Sequence, residues 1–448
     1  MITLRRDGFR EHPYGDVQLE ILESALAAID PETLIAEQLT VGANALRVGK
    51  LSIPLDTRRI WILSIGKASV PMARAVEALL GRERVAGGVA ITRTGYGGST
   101  ACVRVIEAGH PLPETTEGAD AVLEITRNVA PDDLVLCLLS GGGSALLASP
   151  PPGIRLADVA CTTELLLHSG VTIDEMNTVR RHISRLQGGQ LMGLLHPATV
   201  VTLILSDVIG DRLESIASGP TVPDPTSFAD AVAVLQEANL SDRVPQAIRS
   251  HLISGMASQV SETPKPGDPI FQSSHAHLLA NNATAVHALG SAASAAGFDV
   301  HSETSSLMGE ARDVGFQLAE RAIELASHSS RQWALIAGGE TTVIVRGDGL
   351  GGRNQELALA AALRLEGVAG ISFAALATDG TDGPTDAAGA LVDGGTIQRA
   401  RDRGIDPVVA LDQNDSHRVL ALTDDLLWTG PTRTNVADLV LVLGEPTA

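Results

Sequence analysis

Short runs of aliphatic residues alternate with amphipathic stretches through the first half of the chain. The runs are bounded by glycine and polar residues, as in buried strands, and the amphipathic stretches have apolar residues at helical spacing. Strands that alternate with helices indicate an α/β sheet whose strands are largely parallel. The predicted strands are Ile60–Ile65, Gly88–Thr92, Val103–Glu107, Leu134–Leu139 and Val200–Leu205, with helices predicted at Val70–Leu80 and Gly118–Val129.

A second block of this kind follows a segment with three prolines at residues 261–269, the best candidate for a linker. We therefore predict two α/β domains with largely parallel sheets flanked by helices, at residues 1–260 and 261–448. One N-terminal helix is predicted over Val17–Gln38, and the sequence leaves its domain open. The second domain should begin near His277–Ala280, with strands at Phe298–His301, Trp333–Ala337, Thr341–Arg346, Ile371–Thr378 and Leu439–Leu443.

The composition narrows the classes of function. The 448 residues carry a net charge of −20, which argues against a nucleic-acid surface. Cys102, Cys137 and Cys161 show no C-x-x-C spacing, so we predict neither a disulfide framework nor a zinc site. No apolar window is long enough to span a membrane, and the first ten residues lack a signal core. We expect a cytoplasmic protein.

Lysine is rare in this chain, and one lysine stands at a strand-to-helix turn. The chain has three lysines and thirty arginines, and Lys67 lies two residues past the predicted strand Ile60–Ile65. Such turns present backbone N–H groups to anions, and lysine adds a compact charge. We interpret Lys67 as part of an anion or phosphate site, although a solvated turn lysine is the simpler alternative.

Two other features of the first domain favour anion binding. The strand Leu134–Leu139 runs into a Ser-Gly-Gly-Gly-Ser loop, whose backbone N–H and hydroxyl groups suit a phosphate. A helix predicted over residues 174–189 places Asn177, Arg180, Arg181 and Ser184 on one face. We predict a carboxylate or phosphate clamp that uses one of the two arginines, with the other exposed or ion-paired. A flexible turn and a solvated helix face are the alternatives.

Aspartates stand just past two predicted strands. Asp207 follows Val200–Leu205, and Asp379 follows the strand that begins at Ile371. Ligands of α/β sheets bind beyond the carboxyl ends of the strands, where a carboxylate holds Mg²⁺ or accepts a hydroxyl proton. We predict both as metal ligands and Asp207 also as a catalytic residue; helix capping or turn formation is the alternative.

The richest polar stretch is residues 338–357. A G-x-G-x-x-G match at residues 347–352 suggests a dinucleotide site, but a lone match is weak evidence. The strand Thr341–Arg346 follows two glycines and is better read as the second arm of a hairpin. The next predicted helix begins with Arg353, Asn354, Gln355 and Glu356, which favours chemistry by side chains.

These motifs together resemble one known family, the glycerate 2-kinases with a MOFRL-type C-terminal domain. The resemblance implies two α/β domains with the active site in the cleft between them, and Lys67 and Arg353 as the leading catalytic positions. The matching motifs span nearly the whole chain in order, at residues 64–68, 109–113, 139–146, 176–181, 205–211, 218–226, 338–342, 351–357, 378–386 and 430–435.

The resemblance implies phosphorylation of D-glycerate at its 2-hydroxyl, dependent on ATP and Mg²⁺, to give 2-phosphoglycerate. An NAD(P)H-dependent hydroxypyruvate reductase is the alternative, because some family members carry that label, and a sugar-acid binding protein is a third class. The expected partners are D-glycerate and the nucleotide, with no nucleic acid and no membrane; a homodimer is left open. The predicted binding residues are Ser140, Gly141, Gly142, Gly143, Ser144, Asn177, Arg180, Glu340, Asn354 and Glu356.

Overall fold

The computed structural model describes residues 3–4, 9, 12–55, 58–110, 112–302 and 304–446. Pro111, within the motif at residues 109–113, lies outside this part of the chain. The elements up to residue 280 are α1 Gly15–Ala28, α2 Pro31–Gln38, β1 Leu39–Val41, β2 Ala45–Val48, β3 Leu51–Pro54, β4 Ile60–Ile65, α3 Ser69–Leu80, β5 Val85–Arg93, β6 Arg104–Ala108, α4 Glu117–Thr126, β7 Leu134–Leu139, α5 Gly143–Leu146, α6 Leu156–Leu167, α7 Ile173–His182, α8 Gln190–Leu195, β8 Thr199–Leu205, α9 Phe228–Glu237, α10 Gln246–Met256 and β9 Ser274–Ala280. They are followed by α11 Asn282–Ala295, β10 Asp299–Ser302, α12 Ala311–His328, β11 Trp333–Gly339, α13 Arg353–Leu365, β12 Ile371–Ala377, β13 Gly389–Asp393, α14 Thr396–Asp402, α15 Pro407–Asp412, α16 Ser416–Thr423, β14 Leu426–Leu427 and β15 Asp438–Gly444.

The chain forms two compact units that do not follow the predicted boundary at residues 260 and 261. The middle unit is residues 31–279, and the split unit combines residues 1–30 with residues 280–448. The boundary lies later than predicted because β9 joins the edge of the first sheet. The proline-rich segment at 261–269 is therefore a loop inside the middle unit, and not a linker between units.

The middle unit has the sheet that the aliphatic runs predicted. Its strand order is β6-β5-β4-β7-β8-β9, and the pairs from β6 to β8 are all parallel. Every residue of β7 is buried, which is typical of a parallel strand covered by helices on both faces. Helices α6, α7, α9 and α10 form a separate apolar cluster around Leu166, Val179, Phe228 and Ile248.

The sheet of the split unit corrects the prediction that both sheets are largely parallel. Its order is β10-β11-β15-β12-β13-β14, and only the β10–β11 pair is parallel. The cause is β15, which lies between β11 and β12 and is antiparallel to both. Two strands on opposite sides of a common antiparallel neighbour point the same way, so β11 and β12 still end at one edge.

The predicted strand Thr341–Arg346 is wrong. One side of β11 is occupied by β15 along its whole length, and the other is occupied by β10 and by Leu307, which is bridged to Gly339, so no place remains for a hairpin arm. The segment is irregular apart from a single bridge between Glu310 and Thr342.

The predicted N-terminal helix Val17–Gln38 is two helices, one in each unit. Proline at the first position of a helix is favourable but proline inside one breaks it, so Pro31 begins α2 and separates it from α1. The side chain of Gln18 on α1 is fully buried, and its amide donates to the carbonyl of Leu441 on β15 at 2.6 Å. Its amide oxygen accepts the hydroxyl of Ser372 on β12.

The helix predicted over residues 174–189 ends at His182. Its start follows the sequence rules, since Thr172 and Glu175 form a capping box. Its end is set by Ser184, whose hydroxyl oxygen accepts the N–H groups of Leu186 and Gln187 at 3.2 and 3.3 Å. These bonds replace the helical ones, so Ser184 does not continue the predicted face.

None of the helices in the described ranges is long and apolar enough to span a membrane.

We predict that Gln18→Ala lowers the free energy of unfolding of the split unit by about 2 kcal/mol, because it removes a hydrogen bond to a buried carbonyl and leaves the buried hydroxyl of Ser372 without its acceptor. Urea denaturation measures the change. Gln317→Ala, at an exposed position on α12, is the matched control. Equal stability of the two variants would contradict the anchoring role of Gln18.

Candidate active site

The Lys67 turn and the Ser140–Ser144 loop follow neighbouring strands and are hydrogen-bonded to each other. The N–H of Lys67 donates to the carbonyl of Gly141 at 2.9 Å, and the N–H of Ala68 donates to the Ser140 hydroxyl oxygen at 3.0 Å. A Cβ at Gly66 would lie 2.3 Å from that hydroxyl oxygen, so the contact requires glycine. These bonds use the backbone N–H groups of Lys67 and Ala68, and they fix the turn that carries the Lys67 side chain.

Lys67 lies beside Gly142 and His110. Its side chain is 9% exposed, and a Cβ on Gly142 would lie 3.6 Å from its Cγ and 3.2 Å from the His110 ring. Gly142 adopts a left-handed φ of 84°, which a residue with a Cβ rarely takes. The backbone N–H groups of Gly141 and Gly142 donate to no other group in the described part of the chain. The Ser140–Ser144 loop thus places backbone N–H donors beside a lysine and a histidine.

A strained turn supports the Ser140–Ser144 loop from its other side. Ala217 and Ser218 both have left-handed backbones, with φ of 50° and 57°. Such conformations cost about 1–2 kcal/mol per residue and concentrate at functional sites. The Ser218 hydroxyl lies 2.8 Å from that of Ser144 and 3.1 Å from Oδ1 of Asn177. The turn therefore links the loop to α7.

The two neighbouring arginines of α7 have different surroundings, as predicted. The guanidinium of Arg181 is buried, pairs with Asp224 at 3.0 Å and donates to the carbonyl of Glu214. Arg180 instead lines a pocket beside Ser144. Burial lowers the pKa of Arg180 to about 10, so its side chain is still charged at neutral pH.

Asp207 lies at the same sheet edge as the two loops. It follows β8, which is parallel to β7 and pairs Leu139 with Ile204. The carboxyl ends of β4, β7 and β8 therefore bring Lys67, Ser140 and Asp207 to one edge of the middle unit. This is the edge at which the sequence rule for α/β sheets places ligands.

The split unit has a second charged cluster, centred on Arg353 at the start of α13. The guanidinium of Arg353 contacts both carboxylate oxygens of Asp438, at 2.5 and 3.0 Å, and Glu340 at 2.5 Å. Burial alone would lower the pKa of Arg353, but the charges of Asp438 and Glu340 outweigh it and raise the pKa above its usual value. Arg353 is thus a permanent cation held in a fixed orientation.

Asp438, the main partner of Arg353, is not among the residues predicted from the sequence. The predicted polar residues follow strands, whereas Asp438 is the first residue of β15. Because β15 is antiparallel to its neighbours, Asp438 pairs with Gly339 and Ala377, the last residues of β11 and β12. An aspartate that opens an otherwise apolar strand was the available signal.

Asp382 holds the first turn of α13. Its carboxylate accepts the N–H groups of Asn354 and Gln355 at 3.1 and 2.9 Å and also binds both side-chain amides. Burial, and next the charge of Asp438, raise the pKa of Asp382 to about 6. The side chain of Asn354, predicted to bind a ligand, is therefore turned to Asp382.

The other predicted residues of the split unit have contacts within it. Glu356 is 1% exposed, pairs with Arg312 at 3.1 Å and accepts the amide of Asn414 at 2.9 Å. Asp379 follows β12, is 6% exposed, and its carboxylate accepts the N–H of Thr381 at 3.0 Å. Glu340 is exposed and contacts Arg353.

The G-x-G-x-x-G segment packs against its own chain. The N–H of Gly347 donates to Oδ1 of Asn414 at 3.1 Å, and that of Gly349 donates to the carbonyl of Gln413 at 2.9 Å. A Cβ on Gly349 would lie 2.5 Å from that carbonyl oxygen. The glycines serve this close packing, which removes the structural basis for a dinucleotide site at residues 347–352.

Comparison with known proteins shows the family of this chain. A family model described as a domain of unknown function, DUF4147, matches residues 17–253, and the MOFRL family model matches residues 333–438. The chain is 40% identical to glycerate 2-kinase of Pyrococcus horikoshii, over 96% of this chain and 97% of the relative. It is 39% identical to D-glycerate 2-kinase of Thermotoga maritima, over 95% and 97%.

A crystal structure of glycerate kinase from Thermotoga maritima matches with a TM-score of 0.81 and 37% identity, covering 96% of this chain and 99% of that one. The fold and the family models define a two-domain α/β protein with a DUF4147 and a MOFRL region. Within that class, the chain belongs to the glycerate 2-kinase family.

We predict that Gly142→Ala lowers the turnover number with D-glycerate and ATP at least 10-fold, because its Cβ would displace the His110 ring. Gly153→Ala is the matched control, since Gly153 has a similar φ of 89° but open space around it. Both variants should lose comparable stability, and only the first should lose activity. Steady-state kinetics and thermal melting test this, and equal activities would contradict it.

We also predict that Asp438→Asn lowers the turnover number by about 10- to 100-fold, because Arg353 loses a charged bidentate partner. Asp299→Asn removes an exposed partner of Arg331 in the same unit and should have little effect. The turnover numbers of both variants are measured at saturating substrate concentrations. Unchanged turnover in Asp438→Asn would show that Arg353 does not need this partner.

Proposed function

We propose that this protein transfers the γ-phosphoryl group of ATP to the 2-hydroxyl of D-glycerate, giving 2-phosphoglycerate and ADP. The observation that carries the proposal is the Lys67 turn, hydrogen-bonded to the Ser140–Ser144 loop in a chain of the glycerate 2-kinase family. Phosphoryl transfer is catalysed mainly by positioning and by cations around the spreading charge. Lys67 and Arg353 are the proposed cations.

The bond changes assign a role to each group. The 2-hydroxyl oxygen forms a bond to the γ-phosphorus, the bond from that phosphorus to the β,γ-bridging oxygen breaks, and ADP leaves. The hydroxyl proton passes to the carboxylate of Asp207. The N–H groups of Gly141 and Gly142 and the hydroxyls of Ser140 and Ser144 are proposed phosphate donors, with Gly143 allowing the loop's close approach to Ala217.

The carboxylates fit a Mg²⁺ ion that arrives with the nucleotide. Among the described residues, no three His, Cys, Asp or Glu side chains gather as a metal site. Mg²⁺ in phosphoryl-transfer sites is held by one or two carboxylates, with water and phosphate oxygens as the other ligands, and neutralises phosphate charge. Asp207 is the proposed ligand in the middle unit, and Asp379 is the proposed ligand in the split unit.

The remaining predicted residues are proposed to act through their neighbours. Asn177 fixes Ser218 and thereby Ser144, and Glu340 orients Arg353. Asn354 and Glu356 hold Asp382 and Arg312, so we propose that they support the Arg353 end of α13. Arg180 is proposed to bind an anionic part of a substrate.

Parallel assays test the reaction class. The protein is incubated with D-glycerate and ATP, with and without Mg²⁺, and separately with hydroxypyruvate and NADH. Enolase added to the first reaction consumes 2-phosphoglycerate directly, so absorbance from phosphoenolpyruvate identifies the 2-phosphate. Mg²⁺-dependent ADP release with this signal supports the proposal. NADH oxidation without ADP release would support the reductase, and ADP release without the enolase signal would place the phosphate elsewhere.

We predict that Lys67→Ala lowers the turnover number by about 10²-fold or more, the effect of losing one oriented group that stabilises charge in a transition state. Lys50→Ala is the control, because Lys50 is an exposed lysine of the same unit. Steady-state rates with ATP and D-glycerate measure both variants. Activity of Lys67→Ala within a few-fold of the control would exclude a catalytic role for Lys67.

A further inference from the structure

Arg180 is a largely buried cation whose charge has no counterpart inside the described part of the protein. Its guanidinium makes no hydrogen bond or ion pair to any described side chain or carbonyl, whereas Arg181 next to it has Asp224, Thr226 and the Glu214 carbonyl. An unpaired buried charge opposes folding, because desolvation is not offset by an attractive partner. The protein nevertheless retains this unfavourable charge at the position of Arg180.

That place is a small pocket within the middle unit. Its wall is partly apolar and partly hydroxyl-bearing, and none of its described lining residues is acidic. The lining residues are Pro113, Ser144, Ala145, Ala148, Ser149, Val159, Thr163, Arg180, Ile183, Ser184 and Gln187. A pocket with one cation, several hydroxyls and no carboxylate suits a small anion.

The hydroxyl of Ser184 is placed to assist Arg180. Its oxygen already accepts two backbone N–H groups, so its own proton remains to be donated. Gln187 supports the pocket in a different way, since its amide donates to the carbonyl of Ser144 at 2.7 Å and fixes that residue. The premature end of α7 at His182 thus creates a donor beside the cation.

We propose that this pocket binds the carboxylate of the small hydroxy-acid substrate, with Arg180 as the specificity-determining residue. The proposal rests on the proposed phosphorylation of glycerate. A carboxylate carries one charge and matches a single guanidinium bidentately, whereas a phosphate dianion would leave one charge unpaired in a partly apolar pocket. The Ser140–Ser144 loop lies next to both the cation Lys67 and this pocket, because Gly142 lies beside Lys67 and Ser144 lines the pocket.

The test uses Arg180→Gln and Arg180→Lys, with Arg243→Gln as a control that makes the same charge change at an exposed site of the same unit. We expect Arg180→Gln to raise KM for D-glycerate by about 10- to 100-fold, the effect of losing a charged hydrogen-bond partner. KM for ATP should stay within two-fold, and Arg180→Lys should restore only part of the loss. The control should match the wild type.

Two kinetic outcomes would overturn the proposal. A rise in KM for ATP with an unchanged KM for D-glycerate would assign the pocket to a nucleotide phosphate, and no change in either constant would leave it without a ligand. Isothermal titration of D-glycerate without nucleotide, into wild type and Arg180→Gln, tests the pocket separately from turnover. If the wild type binds D-glycerate but does not phosphorylate it, loss of the binding heat in Arg180→Gln supports the pocket while the proposed function fails. Equal heats, or none in the wild type, overturn the pocket.

Stability separates a binding role from a structural one. If Arg180 is retained for a ligand, removing its buried charge should not weaken the ligand-free protein. Arg180→Met should therefore melt at or above the wild-type temperature without ligand, and the stabilisation of the wild type by D-glycerate should be absent from the variant. A much lower melting temperature for the ligand-free variant would show that Arg180 is a structural residue.

Discussion

The candidate site of the middle unit depends on the parallel pairing of β4 with β7. Each residue from Ile60 to Ile65 pairs with one from Leu134 to Leu139, so the two strands end level. The turn after one strand and the loop after the other must then share the same small space. Glycine at residue 66 lets them touch, and their hydrogen bonds fix where Lys67 can lie. A shift of one residue in this register would separate lysine from loop.

The sequence predicted the first sheet well, because buried parallel strands are continuous aliphatic runs that need no knowledge of partners. Strands β4 and β7 have the predicted bounds, and β8 differs by one residue. The second sheet was predicted less well, since an apolar run such as Leu439–Leu443 does not show which way its neighbours point. The boundary and the N-terminal helix failed for a related reason: Pro31 marked the break, but the partners of α1 lie more than 350 residues away.

For the site, local patterns indicated residues whose positions follow from strand ends, including Lys67, Ser140 and Asp207. They could not reveal Asp438, because its place beside Arg353 depends on the antiparallel order β11-β15-β12. They also could not separate Arg180 from Arg181, since adjacent helix positions differ only in what packs against them. Asp224, 43 residues further on, pairs with Arg181 and not with Arg180.

The split unit also has a consequence for synthesis of the chain on the ribosome. Helix α1 is made before the middle unit, whereas the carbonyl of Leu441 that its Gln18 binds is made after it. In between, the whole middle unit is made and can fold as a continuous segment, while α1 waits with its apolar face exposed. Closing so long a loop adds only a logarithmic entropy term, so the delay threatens the nascent chain more through aggregation than through lost stability.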